Sequence, residues 1–358
     1  MHHRIICLVP LLVATACAAT PAREAASTSS APTTPPAATT PASAAASSAS
    51  ATPPASAPPQ LTDAERLQQG RAKADADHQA DVQRWTPDLH AAAKRLADTS
   101  YPSLDVALKA VLASPLRKPG NADRDKYRHP RETLEFFGVR PTSSVLEYGP
   151  GGGWFTEILA PVLAKHGKLF VTSDEPDASN RERAVSGYRL KLLLETAPEL
   201  FGKVEPVVVD QKSPKLPLDG TLDTVLVIRE LHNLVRDGSV DAWLAEFRHA
   251  LKPNGVLGIV DHRALVGADP IPSSKLGYLP EAWVIAKVEA AGFKLAAKSE
   301  INANPKDTKD YAEGVWALPP SYRLGAKDHE KYATIGESDR FTLRFVKSPG
   351  TAAAKAAH

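Results

Sequence analysis

Apolar residues along this chain follow two alternating rhythms from residue 144 onward. Short apolar or alternating runs at 144–148, 168–172, 204–209, 224–228, 255–260 and 294–299 predict strands, and 340–346 predicts a last one. The run TVLVI at 224–228 is apolar throughout, as expected of a strand covered on both faces. Between these runs apolar residues recur every three or four positions and predict helices at 154–165, 181–194, 241–251 and 280–291. The first of these carries Phe155, Ile158, Leu159, Val162 and Leu163 on one stripe, and Pro161 inside it predicts a kink. Lys252-Pro253-Asn254-Gly255 reads as a helix stop and turn. Strand–helix alternation of this kind predicts an α/β fold, a doubly wound, mostly parallel seven-stranded sheet with right-handed crossovers. Ligands of such sheets sit at the C-terminal ends of the strands.

Upstream the rhythm changes. Residues 61–84 are charged and Ala-rich and predict a loosely packed helix. Two further helices, at 87–97 and 104–112, complete an N-terminal helical cap over 61–124, ahead of a main domain at 125–347 and a frayed tail at 348–358. Residues 25–60 are Ala, Ser, Thr and Pro with one Gln and no charge, so residues 18–60 read as a disordered tether that buries no core. Residues 1–17 read as a signal peptide: a short polar start, an apolar core at 5–14 too short to span a bilayer, and Ala14-Thr15-Ala16-Cys17, which is similar to a bacterial lipobox. The expectation is export, to the periplasm or to the outer membrane through a lipid anchor at Cys17.

Composition narrows the chemistry. Of 358 residues, 43 are Lys or Arg and 41 Asp or Glu, a balance that creates no broad field for nucleic acid. The only cysteines are Cys7 and Cys17, so the folded part has no disulfide, thiol nucleophile or Cys-based metal site. No G-x-S-x-G elbow supports a hydrolase.

The stretch VLEYGPGGGWFTEIL at 145–159 concentrates the chemistry. Glu147, Gly149, Gly151 and Gly153 follow the spacing E-x-G-x-G-x-G at a strand-to-helix turn. A dinucleotide turn wants a third glycine where Trp154 stands, and pyrophosphate would be repelled by Glu147. A ligand with a cationic end reverses that argument. S-adenosylmethionine has no phosphate and carries an ammonium and a sulfonium, so a carboxylate at the strand end suits it.

On these residues, and on LKPNG and the element order, residues 125–347 resemble a class I S-adenosylmethionine-dependent methyltransferase with a Rossmann-like sheet. More narrowly, YRHPRETLEFFGV at 127–139 and VDHRA at 260–264 resemble a family of predicted exported bacterial methyltransferases. The resemblance implies S-adenosylmethionine as cofactor. Asp174, or its neighbour Glu175, would accept from the ribose hydroxyls, and Asp210 from the adenine amino group unless it caps its own turn. Arg229-Glu230-Leu231-His232 and Asp261-His262-Arg263 end the fourth and fifth strands beside the methyl donor. His232 and His262 are the candidate bases, with Asp261 beside them and Arg229 or Arg263 to hold an acidic group. These side chains lack the regular spacing of a metal cage, and no metal is expected. The YRHP segment would fold over the cofactor or cap a helix, and the excursion at 301–339 would form a substrate lid or a surface loop. The implied function is methyl transfer to a small-molecule acceptor; the alternative is an exported non-catalytic binding module that kept the fold.

Overall fold

The computed structural model describes residues 62–176 and 181–348. The stretches expected to be a signal peptide and a tether, and most of the expected frayed tail, fall outside them. The chain opens with three helices: α1 (Asp63–Arg84), α2 (Pro87–Asp98) and α3 (Leu104–Leu112). Thr62 starts α1 with a capping box, its hydroxyl accepting from the Glu65 amide while the Glu65 carboxylate accepts from the Thr62 amide. Thr86 and Ser103 cap α2 and α3 in the same sense. Ala74 is the one buried residue of α1, as its polar composition requires.

Two short helices follow, α4 (Asp125–Arg128) and α5 (Pro130–Phe136). The alternation then runs β1 (Ser144–Tyr148), α6 (Thr156–Leu163), β2 (Lys168–Ser173), α7 (Arg181–Thr196), α8 (Pro198–Phe201), β3 (Val204–Val208) and β4 (Leu222–Ile228). It continues through α9 (Leu231–Arg236), α10 (Val240–Ala250), β5 (Leu251–His262), α11 (Pro270–Lys275), α12 (Glu281–Ala290), β6 (Phe293–Ser299), α13 (His329–Ile335) and β7 (Arg340–Lys347). The seven strands form one sheet in the order β3-β2-β1-β4-β5-β7-β6. β1 to β5 pair in parallel, whereas β7 enters antiparallel between β5 and β6. This is the expected Rossmann-like methyltransferase sheet. Its strand order reverses at β1 and β4, where a crevice opens at the C-terminal ends.

Alternate residues of the central strands face opposite cores, as the two-residue period requires. Val145, Leu169, Leu226 and Val260 pack with α2, α3 and α6 on one face. Leu146, Phe170, Val225, Leu257 and Ile259 pack with α9, α10 and α12 on the other. Two local expectations need correction. Trp154 and Phe155 belong to the glycine turn, so the helix starts only at Thr156. Lys252–Gly255 do not separate a helix from a strand; β5 already begins at Leu251, and these residues bulge between the pairs Leu222–Leu251 and Thr224–Val256.

Candidate functional site

β1 delivers the chain to a turn in which Gly149, Gly151 and Gly153 have φ of +62°, +55° and +77°. That left-handed backbone is why glycine recurs here. The Gly149 amide donates to Thr172 Oγ1 at 2.8 Å, fastening the turn to β2. A Cβ on Gly149 would lie 2.6 Å from Glu230 Cγ, and one on Gly153 would collide with Leu193. Gly151 faces open space. Above the turn lies a cleft of about 640 Å³ bordered by Tyr148, Gly149, Gly151, Asp174, Gln211 and Glu230.

Asp174 sits in this cleft, while Glu175 is exposed and does not border it. Burial holds the Asp174 carboxyl above the ordinary range. Asp174 Oδ1 accepts from Gln211 Nε2 at 3.2 Å, and Gln211 Oε1 accepts from the Tyr148 hydroxyl at 3.0 Å. Asp210 takes the second of its two expected roles. Its carboxylate caps its own turn, accepting from the amides of Lys212 at 2.8 Å and Ser213 at 3.4 Å, and those backbone bonds lower its pKa. Gln211, one residue on, enters the cleft in its place.

Glu147 borders a second, smaller cavity of about 110 Å³ behind the glycine turn. The side chain is buried and accepts from Thr156 Oγ1 at 2.7 Å. Burial raises its pKa to about 7, against which the Thr156 bond acts only in part. Opposite it stand Arg124, Arg128 and Arg229. Arg128 and Arg117 lie 4.8 and 5.1 Å over the Trp154 ring, so the residue that excluded a dinucleotide turn is a platform for two guanidiniums. Arg128 is buried, and its Nη2 has no hydrogen-bond partner.

One carboxylate collects these cations. Glu337, at the end of the excursion, lies 3.2 Å from Arg124, 3.0 Å from Arg128, 3.0 Å from Arg340 and 3.8 Å from Arg229. Burial alone would raise its pKa, but the four arginines hold it down at about 2. Arg229 stands at φ +60°, a left-handed conformation for a residue with a side chain, as the chain leaves β4. Its guanidinium therefore belongs to this buried cluster. Arg263 is taken up by Glu281 at 3.1 Å, Glu300 at 2.5 Å and Asp339 at 3.5 Å, away from the site.

The ends of β4 and β5 do bring His232, Asp261 and His262 together. Asp261 is fully buried; its Oδ2 accepts from the His232 amide at 3.0 Å and its Oδ1 from the His262 amide at 2.7 Å. Oδ1 also lies 2.9 Å from His232 Nδ1, which fixes that ring and leaves Nε2 for other work. His262 Nδ1 is 2.5 Å from Ser338 Oγ. Burial, then the charges of His232 and Arg229, push the His262 pKa well below its ordinary value. The two rings are 5.3 Å apart, and Trp316 of the excursion covers His232 at 6.2 Å. Neither histidine borders the two cavities above. Donor atoms of His232, Asp261 and His262 lie within 4.8 Å of one another, but a cation there would meet the field of Arg229, Arg340 and Arg128.

No family model matches the chain, and no curated protein matches it. Among solved structures it is similar to a SAM-dependent methyltransferase from Aquifex aeolicus, at 20% identity over 65% of this chain and 95% of that one, with a TM-score of 0.43. It is also similar to the [4+2]-cyclase SpnF, at 20% identity over 62% of this chain and 81% of that one, with a TM-score of 0.44. A third is the 1,6-didemethyltoxoflavin-N1-methyltransferase of Burkholderia thailandensis, bound to its substrate and S-adenosylhomocysteine, at 13% identity over 63% and 78%, with a TM-score of 0.38. At such identities and scores the likeness transfers no residue roles.

Sequence reasoning missed Gln211, Tyr148 and Glu337. Gln211 adjoins the acidic residue that the strand pattern singled out. Tyr148 lies inside the glycine motif itself. Glu337 sits in an excursion without periodicity, and no local signal in the sequence marks it.

Proposed function

We propose that this protein binds S-adenosylmethionine and transfers its methyl group to a small-molecule acceptor. The observation that carries the reading is the pairing of an open glycine turn with acidic groups at the ends of β1 and β2. Gly151 leaves room where a ligand must approach the backbone, Asp174 offers two acceptors to a diol, and Gln211 holds it in place. The small cavity suits the amino-acid end of the same ligand. Arg124 and Arg128, the latter with an unpartnered Nη2, would take a carboxylate, and ionised Glu147 an ammonium.

Bound there, the donor supplies an electrophilic methyl on a positively charged sulfur. That donor would pass its methyl to an acceptor's lone pair and leave as the neutral thioether. Asp261 fixes the His232 ring through Nδ1, so Nε2 is the atom to take the acceptor's proton. His262, kept neutral by burial, adds no charge beside it. Trp316 and Tyr278 wall the two histidines from water.

Titration calorimetry with S-adenosylhomocysteine tests the reading. Binding that is weakened in Glu147→Gln and Asp174→Ala is expected; no heat at millimolar ligand from folded protein overturns it. A specific observation favours the non-catalytic alternative: both oxygens of Asp261 are occupied by backbone amides, as in a purely structural carboxylate. Cofactor binding without turnover on any acceptor class would support that alternative.

A further inference from the structure

Seven large hydrophobic side chains are exposed among the described residues, and four of them, Leu265, Val266, Ile271 and Leu276, fall within twelve residues. They occupy the turn that leaves β5 and the helix α11 behind it. The Ala268 amide donates to Leu265 O at 3.2 Å and closes the turn, and Gly267 supplies the left-handed corner at φ +79°. Turns usually carry Asn, Asp, Ser or Pro, which bond to water or to the backbone. This one reads Ala-Leu-Val-Gly-Ala, and Val266 at its tip is 105% exposed. Its stem is firm: Ala264 and Ala268 pack with Tyr278, Val315 and Trp316. A rigid base thus projects aliphatic side chains from the rim that holds His232 and His262.

We propose that this turn dips into the interface of a lipid bilayer, docking the candidate site's rim on a membrane surface. Three observations choose lipid over a protein partner. Leu265 and Val266 protrude at the turn, with exposed Ile271 on the helix behind them, and such a tip enters a soft interface but offers no groove to a folded partner. Residues 264–276 carry only Asp269 and Lys275, a net charge of zero, and Asp269 is spent capping α11 through the Ile271 amide at 2.9 Å. The chain ahead of α1 adds 61 further residues outside the described structure, whose sequence predicts export and a lipid anchor at Cys17. If the 44 residues from 18 to 61, which the sequence reads as a tether, span as a random coil, their reach is roughly 35–40 Å, enough for the domain to touch a surface that holds Cys17. Among the described residues no helix is long and apolar enough to cross a membrane, so the contact is peripheral.

The test uses the full chain with Cys7→Ser and Cys17→Ser, an environment-sensitive fluorophore at Val266→Cys, and control probes at Val82→Cys and Val106→Cys. The controls are also exposed valines, at 45% each, on α1 and α3. With neutral phosphatidylcholine vesicles a blue shift is expected at position 266 and none at 82 or 106, unchanged at about 0.5 M salt because apolar contact is not screened. Leu265→Ser with Ile271→Ser should weaken vesicle binding by roughly tenfold or more. Unlabelled full chain should show slowed amide exchange over 264–276 on adding vesicles. No shift at 266, equal shifts at all three probes, or a shift that needs anionic lipid and vanishes with salt would each overturn the proposal.

Discussion

The two halves of the sheet's C-terminal rim are built on opposite plans. Over β2 and β3 the polar groups Asp174 and Gln211 border an open cleft of about 640 Å³ and bond to each other at 3.2 Å. Glu230 at the end of β4 still borders that cleft, but the polar groups deeper between β4 and β5 are sealed. Asp261, His232 and His262 are at most 8% exposed, locked to one another and covered by the excursion. The open half is arranged before any ligand arrives. The closed half can meet an acceptor only if the excursion moves, so stability and binding should separate cleanly along this line.

The largest effect should come from the closed half. Asp261→Ala strands three buried donors and should cost about 3–5 kcal/mol in urea unfolding. S-adenosylhomocysteine affinity of the protein that remains folded should be unchanged. A matching loss of affinity would break the comparison.

Glu147 should link the halves through pH. Its carboxyl is raised in the folded state from an ordinary 4.5 to about 7. The folded protein therefore binds more protons than the unfolded chain between those values. Stability from this group is complete below about pH 4.5, falls by about 3 kcal/mol as pH rises to about 7, and is flat beyond. Affinity for the cationic ligand should run the other way and strengthen through about pH 7 as the carboxylate ionises. Calorimetry and urea melts across this range check both slopes, and Glu147→Gln should flatten them. Glu337, held at about 2 by its arginines, gives the opposite sign: its stability is lost as pH falls from 4.5 towards 2.

Gly151→Val should act on the open half alone. The left-handed backbone costs about 1–2 kcal/mol of stability, while the side chain fills the ligand's space and lowers affinity more than roughly tenfold. The smallest effects sharpen the map of the cleft. Gln211→Ala should lose one hydrogen bond's worth of affinity, roughly 2–10-fold, and Asp210→Ala should leave affinity unchanged. Equal losses in the two would restore Asp210 to the ligand.

How much of this was legible follows the same division. Seven strands and the glycine turn were readable because they depend on local period and on a residue type that left-handed backbone favours, whereas the sequence alone did not separate Asp174 from Glu175. The pairing of His232 with Asp261 was anticipated as proximity, since strand ends in a parallel sheet share one rim. Asp210 stayed open between ligand and turn cap because an acidic residue at a strand end serves equally as either, and only side-chain direction distinguishes the two. The arginine cluster was half visible: Arg128 and Arg229 lay in noted segments, but their common partner Glu337 stands 209 residues beyond Arg128. No local pattern encodes a contact of that separation.

The place of β7 has a consequence for the order in which the molecule can be completed. It is the last strand made, yet it fits between β5 and β6, which were made earlier. Until residues 337–347 leave the ribosome, β5 and β6 have no shared neighbour, Arg124, Arg128 and Arg229 have no carboxylate, and His262 lacks Ser338. A nascent chain is thus kept from closing this rim until residues 337–347 have been made.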